Sequence, residues 1–142
     1  MEDKHNLQRF LSAQGDRLGS VMQELNRGKK WGHWMWYVFP QVQGLGRSPT
    51  SERYAIHSED EAFAYLHHPV LGPRLLECTK AVNGHQNLTA EQIFGYPDYL
   101  KFRSCMTLFA KVAGKNSPFS EALEKFFVGE PDTRTLSILE TF

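Results

Sequence analysis

Apolar positions recur at helical spacing along nearly the whole chain. Leu7, Phe10, Leu11, Leu18, Val21, Met22 and Leu25 share one face, which predicts a long amphipathic helix with Asn6 as N-cap and Gly28 just past its end. Residues 31–39 then gather five aromatic side chains into nine positions. A brief apolar run reads as helix or strand, but the three-residue spacing of Trp31, Trp34 and Tyr37 favours helix, and Pro40 stops it. Residues 43–50 have turn composition, and 51–56 suffice for one or two helical turns. Ser58 and Glu61 have capping-box spacing ahead of a helix over 59–67 that buries Ala62, Phe63, Tyr65 and Leu66. Leu71, Leu75, Leu76, Cys78, Thr79 and Val82 mark the buried stripe of the next helix, which Gly84 closes.

Thr89 and Gln92 form a second capping box before a short turn through Ile93 and Phe94, ended by Gly95. Asp98 opens the most apolar helix, 99–113, with Leu100, Cys105, Met106, Leu108, Phe109 and Val112 inside, and so wide an apolar arc belongs at the centre. Ser117 and Pro118 supply an N-cap and a first helical residue for a helix to Phe127 that buries Phe119, Leu123, Phe126 and Phe127. Asp132 caps a last helix, 133–139, held on the core by Leu136 and Leu139. No stretch alternates with period two and no internal repeat is visible. The pattern predicts one all-α domain spanning 1–142, with its core over about 7–139, about seven helices and no sheet.

Composition bounds what such a domain does. A chain of 142 residues buries roughly 68–70% of its unfolded surface without disulfides or metals. Sixteen Lys and Arg balance sixteen Asp and Glu, so no bulk basic field exists to bind a phosphate backbone, which excludes a general nucleic-acid binder. Cys78 and Cys105 make no Cys-x-x-Cys pair, and reduced thiols are expected. The charged start lacks the apolar core of a signal peptide, and the longest apolar run falls short of the roughly 20 residues a membrane helix needs. The expectation is a cytoplasmic domain with no membrane partner.

Most catalytic patterns are missing. Six histidines are present, but none stands in zincin or finger spacing, so neither a metal nor another cofactor is expected. There is no Gly-x-Ser-x-Gly elbow, and Cys105 lies on the apolar side of its helix, where a thiol behaves as a small hydrophobe. Asp60 and Glu61 sit in a first helical turn and favour its dipole. Gly44-Leu45-Gly46 follows no strand, so it does not make a dinucleotide fingerprint.

What is left is a polar set interleaved with the aromatics: His33, Gln41, Arg53, Tyr54, Asp98, Lys101, Arg103, Ser104 and Thr107. Two readings of the hydroxyls stand side by side. Either Ser104 and Thr107 bond back to carbonyls one turn earlier, or they face a ligand. In the second reading Trp34, Trp36 and Tyr37 stack on a planar group, Arg53 and Lys101 hold an anion, and His33, Gln41, Tyr54 and Thr107 complete the wall. Asp98, Lys101 and Ser104 are then the candidate catalytic residues of a metal-independent hydrolase or glycosidase. A nucleotide or sugar phosphate is the ligand class that fits. The alternative function is a protein-interaction module that docks a partner through the aromatic segment.

The strings HWMWYVFPQ, GLGRSP, RYAI, EAFAYLHHPVLGPRLLECT, IFG, DYLKFRSCMTLFA and FFVGEPDTRTLSIL together resemble the DUF1810 family of domains of unknown function. The resemblance runs from about Leu7 to Leu139 and implies a compact, all-helical, bacterial-type domain with no assigned activity. Cys105 stands where a second serine after Ser104 is more usual, which leaves Ser104 as the better polar candidate. The second half is also loosely similar to the NADAR family of ADP-ribose-linked glycosidases, which implies an ADP-ribose-like or N-glycosidic ligand.

Overall fold

A computed structural model describes residues 3–141. Ten helices form among them: α1 Gln8–Gln14, α2 Leu18–Arg27, α3 Met35–Val38, α4 Pro49–Arg53, α5 Glu59–His67, α6 Leu71–Asn83, α7 Ala90–Phe94, α8 Asp98–Ala113, α9 Pro118–Phe127 and α10 Thr133–Glu140. Seven have at least seven residues, and the rest are single turns. Among the described residues the only strand-like pairing is one parallel bridge between Val42 and Ile56.

The local signals act where they stand in the sequence. Ser48, Ser58, Thr89, Ser117 and Asp132 each accept a hydrogen bond from the third residue of the helix that follows, and Thr89 and Gln92 complete a reciprocal box. Each such cap satisfies an amide that the helix itself leaves unbonded, and its loss costs about 1 kcal/mol. Gly28 ends α2 in the left-handed conformation.

Four expectations are corrected. The first long helix is two, because Gly15 takes φ +47° and ends α1 three residues before α2 begins. Asn6 is not its cap: it has φ 52°, and Asp3 accepts from the amides of Leu7 and Gln8 at 2.7 and 2.8 Å. Those amide bonds, from Gln8 first and then Leu7, hold the Asp3 carboxyl below its ordinary value. Ser58 makes half a capping box, since Glu61 turns away to accept from the His57 amide at 3.0 Å and to pair with Arg9 at 2.6 Å. Phe63 and Leu100 are 53% and 38% exposed and lie outside the core.

α8 is the hub. It packs against α5, α7, α9 and α10, while α6 joins α2, α5 and α9. Phe102 on α8 is fully buried and stacks on Phe94 at 4.6 Å, with Phe39 edge-on to both at 5.2 and 5.7 Å. Each such pair adds roughly 0.5–1.5 kcal/mol beyond the area it buries. α5 and α6 meet closely at Gly72, where an added Cβ would lie 2.0 Å from the Leu66 carbonyl oxygen. Cys78 and Cys105 are buried free thiols. Burial raises Cys78 to about 12 and Cys105 well above the ordinary value, so neither supplies a thiolate.

Candidate functional site

The aromatic segment enters the fold on a tether. Glu24 on α2 accepts from the backbone amides of Trp31 and Gly32 at 2.6 and 2.9 Å and from the Trp34 indole nitrogen at 3.0 Å. Burial alone would raise this carboxyl, but those donors and the nearby Lys30 charge outweigh it and hold it lowered. Trp34 is thereby turned inward at 4% exposure, and Tyr37 at 6% is held by a hydrogen bond from Arg17 to its hydroxyl. Trp36, between them, is only half-buried.

Trp36 faces a cleft with two lobes. The first, of about 450 Å³, has Trp36, Gln43, Arg47, Glu52, Tyr54 and His57 in its wall. The second, of about 360 Å³, has Pro97, Leu100, Lys101, Arg103, Ser104, Asp132 and Arg134. Gln41, Gly46 and Ser51 line both lobes, so the loop between α3 and α4 together with α4 forms the partition. A side chain at Gly46 would crowd α4, since a Cβ there would lie 2.6 Å from the Ser51 Cβ. Volumes of this size suit small ligands rather than polymers.

Charge is distributed unevenly. Asp98, at the start of α8, pairs with Lys30 at 2.8 Å and with Lys101 at 3.3 Å. Lys101 Nζ also stands 4.8 Å over the Trp36 ring, as Lys30 Nζ stands 5.1 Å over Trp34. The wall of the second lobe holds Lys101, Arg103, Arg134 and Asp132; Arg103 donates to the Glu130 and Pro131 carbonyls at 3.0 and 3.1 Å and stands 3.8 Å from the Glu130 carboxylate. The Asp132 carboxylate is engaged already, accepting from the Thr135 amide and hydroxyl and lying 3.0 Å from Ser104 Oγ. Among the described residues Arg134 pairs with no carboxylate, so the lobe carries one unpaired cation beside two paired ones, which favours an anion there.

The residues expected at a site separate into three groups. Trp36, Gln41 and Tyr54 meet in the first lobe, and Gln41, Lys101 and Ser104 in the second. Trp34 and Tyr37 belong to the core, and Asp98 supports Lys101 without lining either lobe. His33 and Arg53 are exposed and line neither; Arg53 contributes its backbone carbonyl, which accepts from Arg9 at 2.8 Å. The hydroxyl alternatives resolve locally: Ser104 Oγ lies 3.1 Å from the Leu100 carbonyl oxygen and Thr107 donates to Arg103 at 2.9 Å, both one turn back. Thr107 also accepts from the Asp132 amide at 2.8 Å, so it ties α8 to the cap of α10 rather than lining the cleft.

Gln43, His57 and Arg134 went unmarked by the sequence pattern. They sit in loops or at an exposed helix start, and only the bridge between Val42 and Ile56 and the cap of α10 bring them to the cleft. Arg103 stood in the polar set and does line it. Among the described residues no group of three or more His, Cys, Asp or Glu side chains is gathered for a metal. No described helix is long and apolar enough to cross a membrane.

A family model described as "Protein of unknown function (DUF1810)" matches residues 4–139. Among solved structures, the conserved hypothetical protein Rv1873 from Mycobacterium tuberculosis is similar at TM-score 0.95 and 51% identity, over 97% of this chain and 99% of that one. No functionally curated protein matches.

Proposed function

The chain belongs to the DUF1810 family, and from that premise we propose that its two-lobed cleft binds an anionic small molecule with a planar group, of the nucleotide, ADP-ribose or N-glycoside kind. What carries the reading is the contact between Lys101 and Trp36. One lines the cationic lobe, the other lines the aromatic lobe, and they meet at 4.8 Å. A ligand spanning both lobes would stack on Trp36 and Tyr54 and place its anion beside Lys101, Arg103 and Arg134.

The support is for binding ahead of turnover. A metal-independent hydrolase or glycosidase needs a proton donor or acceptor in the cleft. Of the three candidates, Lys101 and Ser104 line it while Asp98 stands behind Lys101. The buried free cysteines and the mycobacterial relative favour a cytoplasmic, bacterial-type setting for this activity. The docking alternative rests on Trp31, 72% exposed, because Trp34, Met35, Tyr37, Val38 and Phe39 are buried.

Thermal unfolding in the presence of AMP, ADP, ADP-ribose and ribose 5-phosphate tests the proposal. A ligand at 100 times its Kd adds about 2.7 kcal/mol and raises Tm by at least about 5 °C in a domain of this size. The double variant Lys101→Gln, Arg134→Gln should lose that shift. No shift with any of the panel would overturn the reading.

A further inference from the structure

We infer that His57 and Gln43 read the edge of the planar group in the first lobe, selecting ligands that present one hydrogen-bond donor beside one acceptor. The inference deepens the binding function proposed above and rests on it.

The two side chains meet at 2.8 Å, between His57 Nδ1 and Gln43 Oε1, in the wall that also holds Trp36 and Tyr54. If Nδ1 carries the proton, His57 Nε2 is left as an acceptor and the Gln43 amide nitrogen as a donor. If the imidazole has the other tautomer and the amide is turned over, Nε2 becomes the donor and the Gln43 oxygen the acceptor. Both arrangements offer the lobe one donor and one acceptor. Among the described residues neither outward group has a protein partner.

The backbone beneath this pair is held more firmly than a solvent-exposed contact requires. The Gln43 amide donates to the Ile56 carbonyl at 2.9 Å and the Ile56 amide to Gln41 at 2.8 Å. The His57 amide donates to Glu61, which is 2% exposed and paired with Arg9. Arg9 in turn donates to the carbonyls of Arg53 and Ala55 at 2.8 and 2.7 Å. A buried ion pair thus fixes the segment carrying Tyr54 and His57, as a reader of geometry requires.

An amide or amidine edge satisfies the pair in either arrangement. A carboxylate offers two acceptors, and an unsubstituted ring edge offers no donor. A nucleobase and a carboxamide carry the same edge chemistry, and paired ligands separate them. Binding to the full chain is measured by calorimetry with AMP, IMP and purine riboside 5′-monophosphate, which lacks the 6-substituent, and with nicotinamide and nicotinic acid mononucleotides. The expected result is binding of AMP and IMP at least about tenfold tighter than the unsubstituted purine if a nucleobase is read, or the same preference for nicotinamide over nicotinic acid mononucleotide if a carboxamide is read. His57→Phe and Gln43→Met, each near wild-type in Tm, should abolish the preference between the paired ligands. Equal binding of all five overturns the inference and leaves the proposed function standing. Binding of none overturns the inference, and together with no thermal shift from ADP, ADP-ribose or ribose 5-phosphate it overturns the proposed function as well.

Discussion

Trp34 and Tyr37 make one pair of aromatic residues and Trp36 and Tyr54 another, and the two pairs touch, with the rings of Tyr37 and Tyr54 5.6 Å apart. Their surroundings differ. The polar atoms of the first pair are bound by protein, the Trp34 indole by Glu24 and the Tyr37 hydroxyl by Arg17, and both rings are buried. The second pair is half-buried, with rings in the cleft wall. Residue type does not decide whether an aromatic joins the core or a cavity wall; the presence of a protein partner for its polar atom and a cavity beside its face does.

Truncating the buried pair gives the largest effect. Trp34→Ala should lower the unfolding free energy by about 3–5 kcal/mol in urea denaturation, because it opens a cavity in the core and removes one of the three donors to Glu24. Arg9→Ala is expected to cost about 3 kcal/mol, since Glu61 is left as a buried charge without its partner. It should also weaken nucleotide binding, because the segment bearing Tyr54 and His57 loses its anchor.

Glu24→Gln should cost about 1–2 kcal/mol at pH 7, as charge-assisted acceptance is replaced by neutral acceptance. The Glu24 carboxyl is lowered in the folded protein, so its contribution is complete above the ordinary carboxylate value of about 4.3 and disappears as pH falls through the lower folded value. Wild-type and variant stabilities measured from pH 7 to pH 2.5 should converge at the acid end; a constant gap would mean that the charge is not involved. Trp36→Ala has the smallest effect on stability, about 1 kcal/mol or less, yet it should weaken ligand binding at least about tenfold. A large loss of stability with unchanged binding would erase the distinction between the two pairs.

The fold was legible wherever its signals are local. Ser58, Thr89, Ser117 and Asp132 announce their helices within three residues, and α5 begins and ends where its pattern says. The break at Gly15 was hidden because Leu11 and Leu18 stand seven residues apart and keep the helical face in register across it. Glu61 looked like half of a capping box, and only the arrival of Arg9, 52 residues earlier in the chain, redirects it. The candidate site was legible in part for the same reason. Trp36, Gln41, Tyr54, Lys101 and Ser104 stood out by type and line the cleft. His57 and Gln43 have no periodicity to betray them, because a single bridge between distant segments brings them together.

The indole N–H resonances of the three tryptophans, assigned by single Trp→Phe variants, test the central claim most directly. Titration with AMP or ADP-ribose should shift the Trp36 signal progressively while the Trp34 signal, bonded to Glu24, stays in place. A Trp36 signal that does not move at millimolar ligand, or a shift confined to the exposed Trp31, would contradict the assignment of the cleft as the binding site.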